Sequence, residues 1–202
     1  MKKLIIKIIL LLIITLILII IRVRLEQKKV QEIEFESVQI FKENIRDSHN
    51  SIQVNNNIRV SHNSIQVKNK KRIIKYDMVI EIPKINLSKG ILKKYDKNNN
   101  VDKNVTILKE SSYPDKEGNI FIAAHSGTGI HSYFRKLDKL DMGDKVYLYY
   151  KNKKYKYSVI DIKEVIKSSK TTIKTQKNNS LVLITCSPKN KGNNLIIELE
   201  KE

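Results

Sequence analysis

Residues 4–21 form an almost unbroken apolar run, interrupted only by Lys7 and Thr15 and closed by Arg22-Val23-Arg24. As one helix, a run of this length crosses the roughly 30 Å hydrocarbon core of a bilayer. A cleaved signal peptide has a shorter apolar core followed by small residues, whereas this run of Ile and Leu ends directly in Arg. The expectation is an uncleaved signal anchor over 1–24, with Lys7 snorkelling to the near interface. Charge does not orient it, because Lys2, Lys3 and Lys7 on one side face Arg22, Arg24, Lys28 and Lys29 on the other.

Residues 25–72 are polar, rich in Asn, Lys, Gln and Ser, and carry a tandem repeat. Ser48-His49-Asn50-Ser51-Ile52-Gln53-Val54 recurs as Ser61-His62-Asn63-Ser64-Ile65-Gln66-Val67. Two copies fall short of the three or more units a stacked array needs, and few apolar residues are available to bury. The segment reads as a mobile stalk. His49 and His62 have no acidic or Cys companions at ligand spacing, so repeat chemistry explains them better than metal binding.

The remaining 73–202 suits one globular domain. Lys and Arg number 39 against 21 Asp and Glu, a formal net charge of +18. A surplus of this size raises the question of a nucleic-acid partner, but no recognition motif accompanies it, and none is expected. Many of the lysines sit in a Lys/Asn/Ile-biased composition, which makes the surplus weak evidence for any partner.

From about Ile73 short β-like segments alternate with polar turns, at 78–82, 105–108, 119–124, 145–150, 154–166, 180–185 and 194–200. This spacing predicts an all-β sandwich or barrel. Gly143-Asp144 and Lys151-Asn152-Lys153-Lys154 read as turns, the second as a hairpin. Over 130–140, Tyr133, Phe134, Leu137 and Leu140 recur at helical intervals, predicting a short helix or turn whose aromatic pair belongs to the core.

The chain has one cysteine, Cys186, so no intramolecular disulfide can form. It ends the apolar strand Leu181-Val182-Leu183-Ile184-Thr185, just before Ser187-Pro188 and a Lys/Asn/Gly loop. Asn119-Ile120-Phe121-Ile122-Ala123-Ala124 likewise ends in His125 and then the small-residue loop Ser126-Gly127-Thr128-Gly129. A thiol nucleophile needs a base or an imidazolium beside it, because the thiolate is the reactive form. Cys186 and His125 are therefore the candidate pair, with His131 a weaker alternative to His125.

Leu183-Ile184-Thr185-Cys186 resembles the Thr-Leu-x-Thr-Cys motif of the sortase family. Ala123-Ala124-His125-Ser126, followed by Phe134, Leu137, Leu140 and Gly143-Asp144, resembles that family's histidine block, and Ile80-Glu81-Ile82-Pro83-Lys84-Ile85 is similar to its first barrel strand. The resemblance implies a closed β-barrel of about eight strands with short helices, preceded by the transmembrane helix. It also implies a single-pass cell-membrane protein with its catalytic domain outside.

The implied chemistry is a two-step acyl transfer without cofactors. Cys186 would attack the Thr carbonyl of a C-terminal Leu-Pro-x-Thr-Gly-like sorting signal on a secreted protein, and an amine of a cell-wall precursor or pilin would resolve the thioester, with His125 moving the proton. Thr185 would border the substrate.

The family carries an Arg at the start of the strand after the Cys loop, where Asn193 or Asn194 stands here; no Arg follows Arg135. Asn donates a neutral hydrogen bond but lacks the charge and fork of Arg. Lys189 or Lys191 would be the compensating cation, or the site would be slow. The competing readings are a silent sortase-like module that binds a peptide without cleaving it, a structural barrel with Cys186 in its core, and a thiol hydrolase.

Overall fold

The structure is a computed structural model that describes residues 2–53, 74–167 and 173–202, with side chains of the first helix described from Ile5 to Ile45. The second repeat copy, at 61–67, lies outside the described residues, as do 54–72 of the segment read as a stalk. Helix α1 runs Lys2–Gln53, so 25–53 of the segment read as a stalk continues the apolar helix. Within it, 5–45 contains a stretch long and apolar enough to cross a membrane.

Eight strands follow: β1 Met78–Ile82, β2 Leu87–Ile91, β3 Thr106–Ile107, β4 Ile120–Ala123, β5 Lys145–Tyr150, β6 Lys153–Ile166, β7 Leu181–Cys186 and β8 Asn193–Lys201. They form one sheet in the order β2-β1-β5-β6-β8-β7-β4-β3, curled into a nearly closed barrel. Alternation along each strand sends one set of side chains inward. Ile120, Ile122, Leu181, Leu183, Leu195, Ile197 and Leu199 fill the interior with Met78, Ile80, Val146 and Leu148. The outward set on β4 and β7 is Phe121, Ala123, Val182, Ile184 and Cys186.

The β5–β6 hairpin closes through Lys151 and Asn152, both at positive φ (45° and 59°), as a type I′ turn demands. The stretch after His125 is a series of turns with a single 3-10 turn at Leu137–Lys139, and Phe134 and Leu137 are fully buried. The apolar spacing there reflects inward-facing positions of a tight loop, not an α-helix.

The second half of α1 docks on the outer face of β1, β2 and β5. Val38 packs with Tyr76 and Val79, flanked by Phe41, Leu92 and Tyr149. Gly90 permits this: a Cβ there would stand 2.3 Å from the Tyr76 ring. Polar ties surround the patch, with Glu34 to Lys89 at 2.7 Å, Lys42 to Glu81 at 2.5 Å, and the Ile74 N–H donating to Ser37 Oγ at 3.1 Å. Tyr149 donates to the same Glu81 carboxylate at 2.8 Å.

Burial alone would raise the Glu81 carboxyl, but hydrogen bonds from Lys42 and Tyr149 outweigh it and hold it below its ordinary value. A depressed carboxyl stabilises the junction fully above the unfolded value of about 4.3, and that contribution disappears as pH falls through the folded one. Acidification is therefore expected to speed amide exchange over residues 34–42 before it reaches β7. Equal protection of both segments from neutral pH down to the acid limit of folding would refute this.

Candidate active site

Strands β4 and β7 lie side by side and parallel, in the register Ile120 to Leu181, Phe121 to Val182, Ile122 to Leu183 and Ala123 to Ile184. Parallel strands end at the same edge of a sheet. His125 and Cys186 each lie two residues past the last paired positions, Ala123 and Ile184, so both stand at one mouth of the barrel. The Ala124 N–H continues the ladder to the Ile184 carbonyl at 3.3 Å. Cys186 is half-buried.

The two strand ends are tied together. Ser126 Oγ donates to the Cys186 carbonyl at 2.7 Å, and Thr185 Oγ1 donates to the Ala124 carbonyl at 2.7 Å. Alternation along β7 turns Thr185 inward with Leu183, and only 4% of it is exposed. Its hydroxyl ties β7 to the end of the strand that leads into His125.

The His125 ring is held from outside. Its Nε2 lies 3.1 Å from Asp102 Oδ1, with 43% of the imidazole and 72% of the Asp102 side chain exposed. Its carbonyl accepts from the Phe134 N–H at 2.9 Å. Arg135 braces the loop that follows, donating to the carbonyls of Gly127, Thr128 and Gly129 at 3.0–3.1 Å. His131 turns to Tyr133 Oη at 3.2 Å instead of to Cys186.

On the other side of the thiol, Asn194 of β8 is the direct partner of Cys186 in the β7–β8 register, and Asn193 is one step outside the β7 pairing. The connecting loop closes on Glu164 of β6, whose carboxylate accepts from Ser187 Oγ and Asn190 Nδ2 at 2.5 Å and from Asn193 Nδ2 at 3.2 Å. Hydrogen bonds from Asn190 and Ser187 hold that carboxyl below its ordinary value. Ser187 Oγ in turn accepts from the N–H groups of Lys189 and Asn190 at 3.1 and 3.0 Å.

Asp102 and Glu164 were not among the residues singled out in the sequence. Among the described residues, no group of His, Cys, Asp and Glu stands where it could hold a metal ion.

A nearly closed barrel with a thiol and an imidazole at the adjoining ends of two parallel strands is an arrangement that cysteine acyl transfer can use. The family model for the sortase domain matches residues 80–202, and the chain belongs to the sortase family, whose members are cysteine transpeptidases. It is similar to sortase D of Bacillus subtilis (strain 168), 32% identical over 111 residues that make up 54% of each chain. Sortase A of Bacillus anthracis is 30% identical over 107 residues, 53% of this chain and 50% of the relative. The chain thus spans about half the length of the curated relatives it matches.

Among solved structures, sortase C-1 from Actinomyces oris superposes with a TM-score of 0.53 at 26% identity, covering 62% of this chain and 73% of that one. A sortase D5 transpeptidase from Clostridium perfringens reaches 0.57 over 85% of this chain and 99% of that one, at an identity of 18% that speaks for the fold alone.

Replacing Thr185 by Val keeps the shape but leaves the buried Ala124 carbonyl without its donor, at a cost of about 1–3 kcal/mol. The expected result is a lower denaturant midpoint with an unchanged slope. A midpoint equal to that of the parent would show that the hydroxyl does not lock the two strands.

Proposed function

We propose that this chain is a membrane-anchored, extracytoplasmic cysteine transpeptidase in which Cys186 is the nucleophile and His125 the acid and base. The observation that carries the reading is the parallel β4–β7 register, which brings the two strand ends to one mouth. Residues 1–24 serve as the anchor. In support, Ile5 to Ile21 present their apolar side chains to the outside of the molecule, where only lipid would favour them.

Cys186 Sγ attacks the Thr carbonyl of a Leu-Pro-x-Thr-Gly-like sorting signal. The tetrahedral intermediate collapses as His125 gives a proton to the departing Gly amine, leaving a thioester on Cys186. An amine from a cell-wall precursor or a pilin Lys then attacks that thioester, and His125 takes the proton back as the thiolate leaves. Asp102 on Nε2 orients the ring and leaves Nδ1 for the transfers.

Asn194 takes the position of the oxyanion donor. With one neutral amide instead of a guanidinium, the intermediate is less well stabilised, so turnover is slow. This same substitution favours a second reading, a sortase-like module that captures a sorting signal without releasing it.

The discriminating experiment incubates the full chain in detergent with sorting-signal peptides and an amine acceptor, and follows intact protein mass and peptide products. An acyl adduct absent from Cys186→Ala, together with an amine-ligated product, is expected. Rapid alkylation of the thiol without any adduct would move the assignment to the binding module, and an inert thiol would remove the catalytic one. Asn194→Arg is expected to speed turnover roughly tenfold or more. No gain would mean that the oxyanion donor does not limit the rate.

Exposed ion pairs contribute about 0.2–1 kcal/mol, so Asp102→Asn is expected to lower kcat by about 1.4- to fivefold with KM unchanged. A change confined to KM would assign Asp102 to substrate binding instead.

A further inference from the structure

A cleft of about 550 Å³ lies between α1 and the loop that follows His125, and belongs to neither the barrel core nor the thiol mouth. Its volume is that of a small-molecule pocket, for which roughly 300–1,000 Å³ is usual. Ile19, Val23 and Val30 form its helix wall, and Ile130 closes it from the loop side while remaining 56% exposed. The helix wall extends from Ile19 to Glu34, about 22 Å at 1.5 Å per residue. One end of it therefore belongs to the apolar run, and the other rises alongside the barrel.

Charge in the cleft is distributed unevenly. Glu34 is neutralised by Lys89 at 2.7 Å, and Glu26 by Lys29 at 3.2 Å. Arg22, at the level where the apolar run ends, lines the cleft and makes no ion pair among the described residues. A guanidinium in that place presents a bidentate fork suited to a phosphate.

We propose that the cleft is a binding site for an anionic phospholipid of the host membrane, with an acyl chain between α1 and Ile130 and the phosphate on Arg22. The occupant follows from continuity, since the lower wall of the cleft is the membrane-spanning helix itself, and from the uncompensated cation at headgroup depth. Ile130 shares a short loop with His125, and Arg135 pins that loop at three carbonyls. A lipid held there fixes the histidine side of the mouth against the bilayer surface, where a lipid-proximal substrate arrives.

The proposal rests on the membrane-anchor reading, and one experiment separates the two. The chain contains no Trp, so single-Trp variants report without background. Leu12→Trp in the apolar run, Ile130→Trp at the cleft and Ile166→Trp, an exposed apolar position outside it, are placed in phosphatidylglycerol nanodiscs with part of the lipid brominated near the tail end of its chains for position 12, at mid-bilayer depth, and near the headgroup end for positions 130 and 166. Quenching is expected at positions 12 and 130 and not at 166, with Arg22→Gln abolishing it at 130 alone.

Quenching at 12 but not at 130 overturns the lipid cleft while the anchor stands. Absence of quenching at 12 overturns the anchor and the cleft together. Equal quenching at 130 and 166 shows a barrel lying on the surface without a defined lipid site, and unaltered quenching at 130 in Arg22→Gln removes the phosphate contact; either result overturns the proposal as stated.

Discussion

The parallel pairing of β4 with β7 is the constraint on which the candidate site depends. Every other neighbouring pair in the sheet is antiparallel, and antiparallel neighbours finish at opposite edges. Only the parallel pair can deliver two strand ends, and the loops that follow them, to one place. The chain reaches that arrangement by placing the whole β5–β6 hairpin between the two strands in sequence. The hydroxyls of Thr185 and Ser126 then fix the ends against each other, so the separation of His125 and Cys186 is set by ladder geometry and two short hydrogen bonds, not by the loops.

A second dependence runs through α1. A barrel of this size has an outer face that is only partly polar, and here Val79 on β1 needs cover. The helix provides it through Val38 and Phe41, with Gly90 vacating space for Tyr76. Ion pairs at the margin add direction more than energy, since partly exposed pairs contribute little. The consequence for function is geometric: the helix that carries the apolar run is packed on the barrel, so the mouth does not swing freely relative to that run.

The strand ends bearing Cys186 and His125 were legible because each is a local event, an apolar run stopped by small residues or by Ser-Pro. The β5–β6 hairpin was legible for the same reason, from Lys151-Asn152 between alternating strands. Strand β2 was not, because Leu87-Ser88-Lys89-Gly90-Ile91 has a Gly in its middle and little alternation; its partner β1 and the ring of Tyr76 create the need for that Gly. The helix over 25–53 carried a signal that its polar composition concealed. Val38, Phe41 and Ile45 recur at the three- and four-residue spacing of one helix face, and Val38 and Ile45 are buried in the structure. Asp102 and Glu164 had no local signature at all. Asp102 reaches a histidine 23 positions later, and Glu164 gathers side chains from a loop on the next strand but one in the sheet.

The electrostatics of the mouth follow from that distant wiring. Hydrogen bonds hold charges of both signs around the two strand ends, Asp102 and Arg135 on the His125 side and Glu164 and Lys167 on the side of the β7–β8 loop. Asn194, the partner of Cys186 in the β7–β8 ladder, is neutral. Where the resemblance leads one to expect an Arg, the ladder sets a neutral amide, so the proposed chemistry rests its proton transfers on His125 alone. The loop bearing that residue is pinned by Phe134, Arg135 and Ser126 at once, so the ring is presented from a backbone fixed to the strand end.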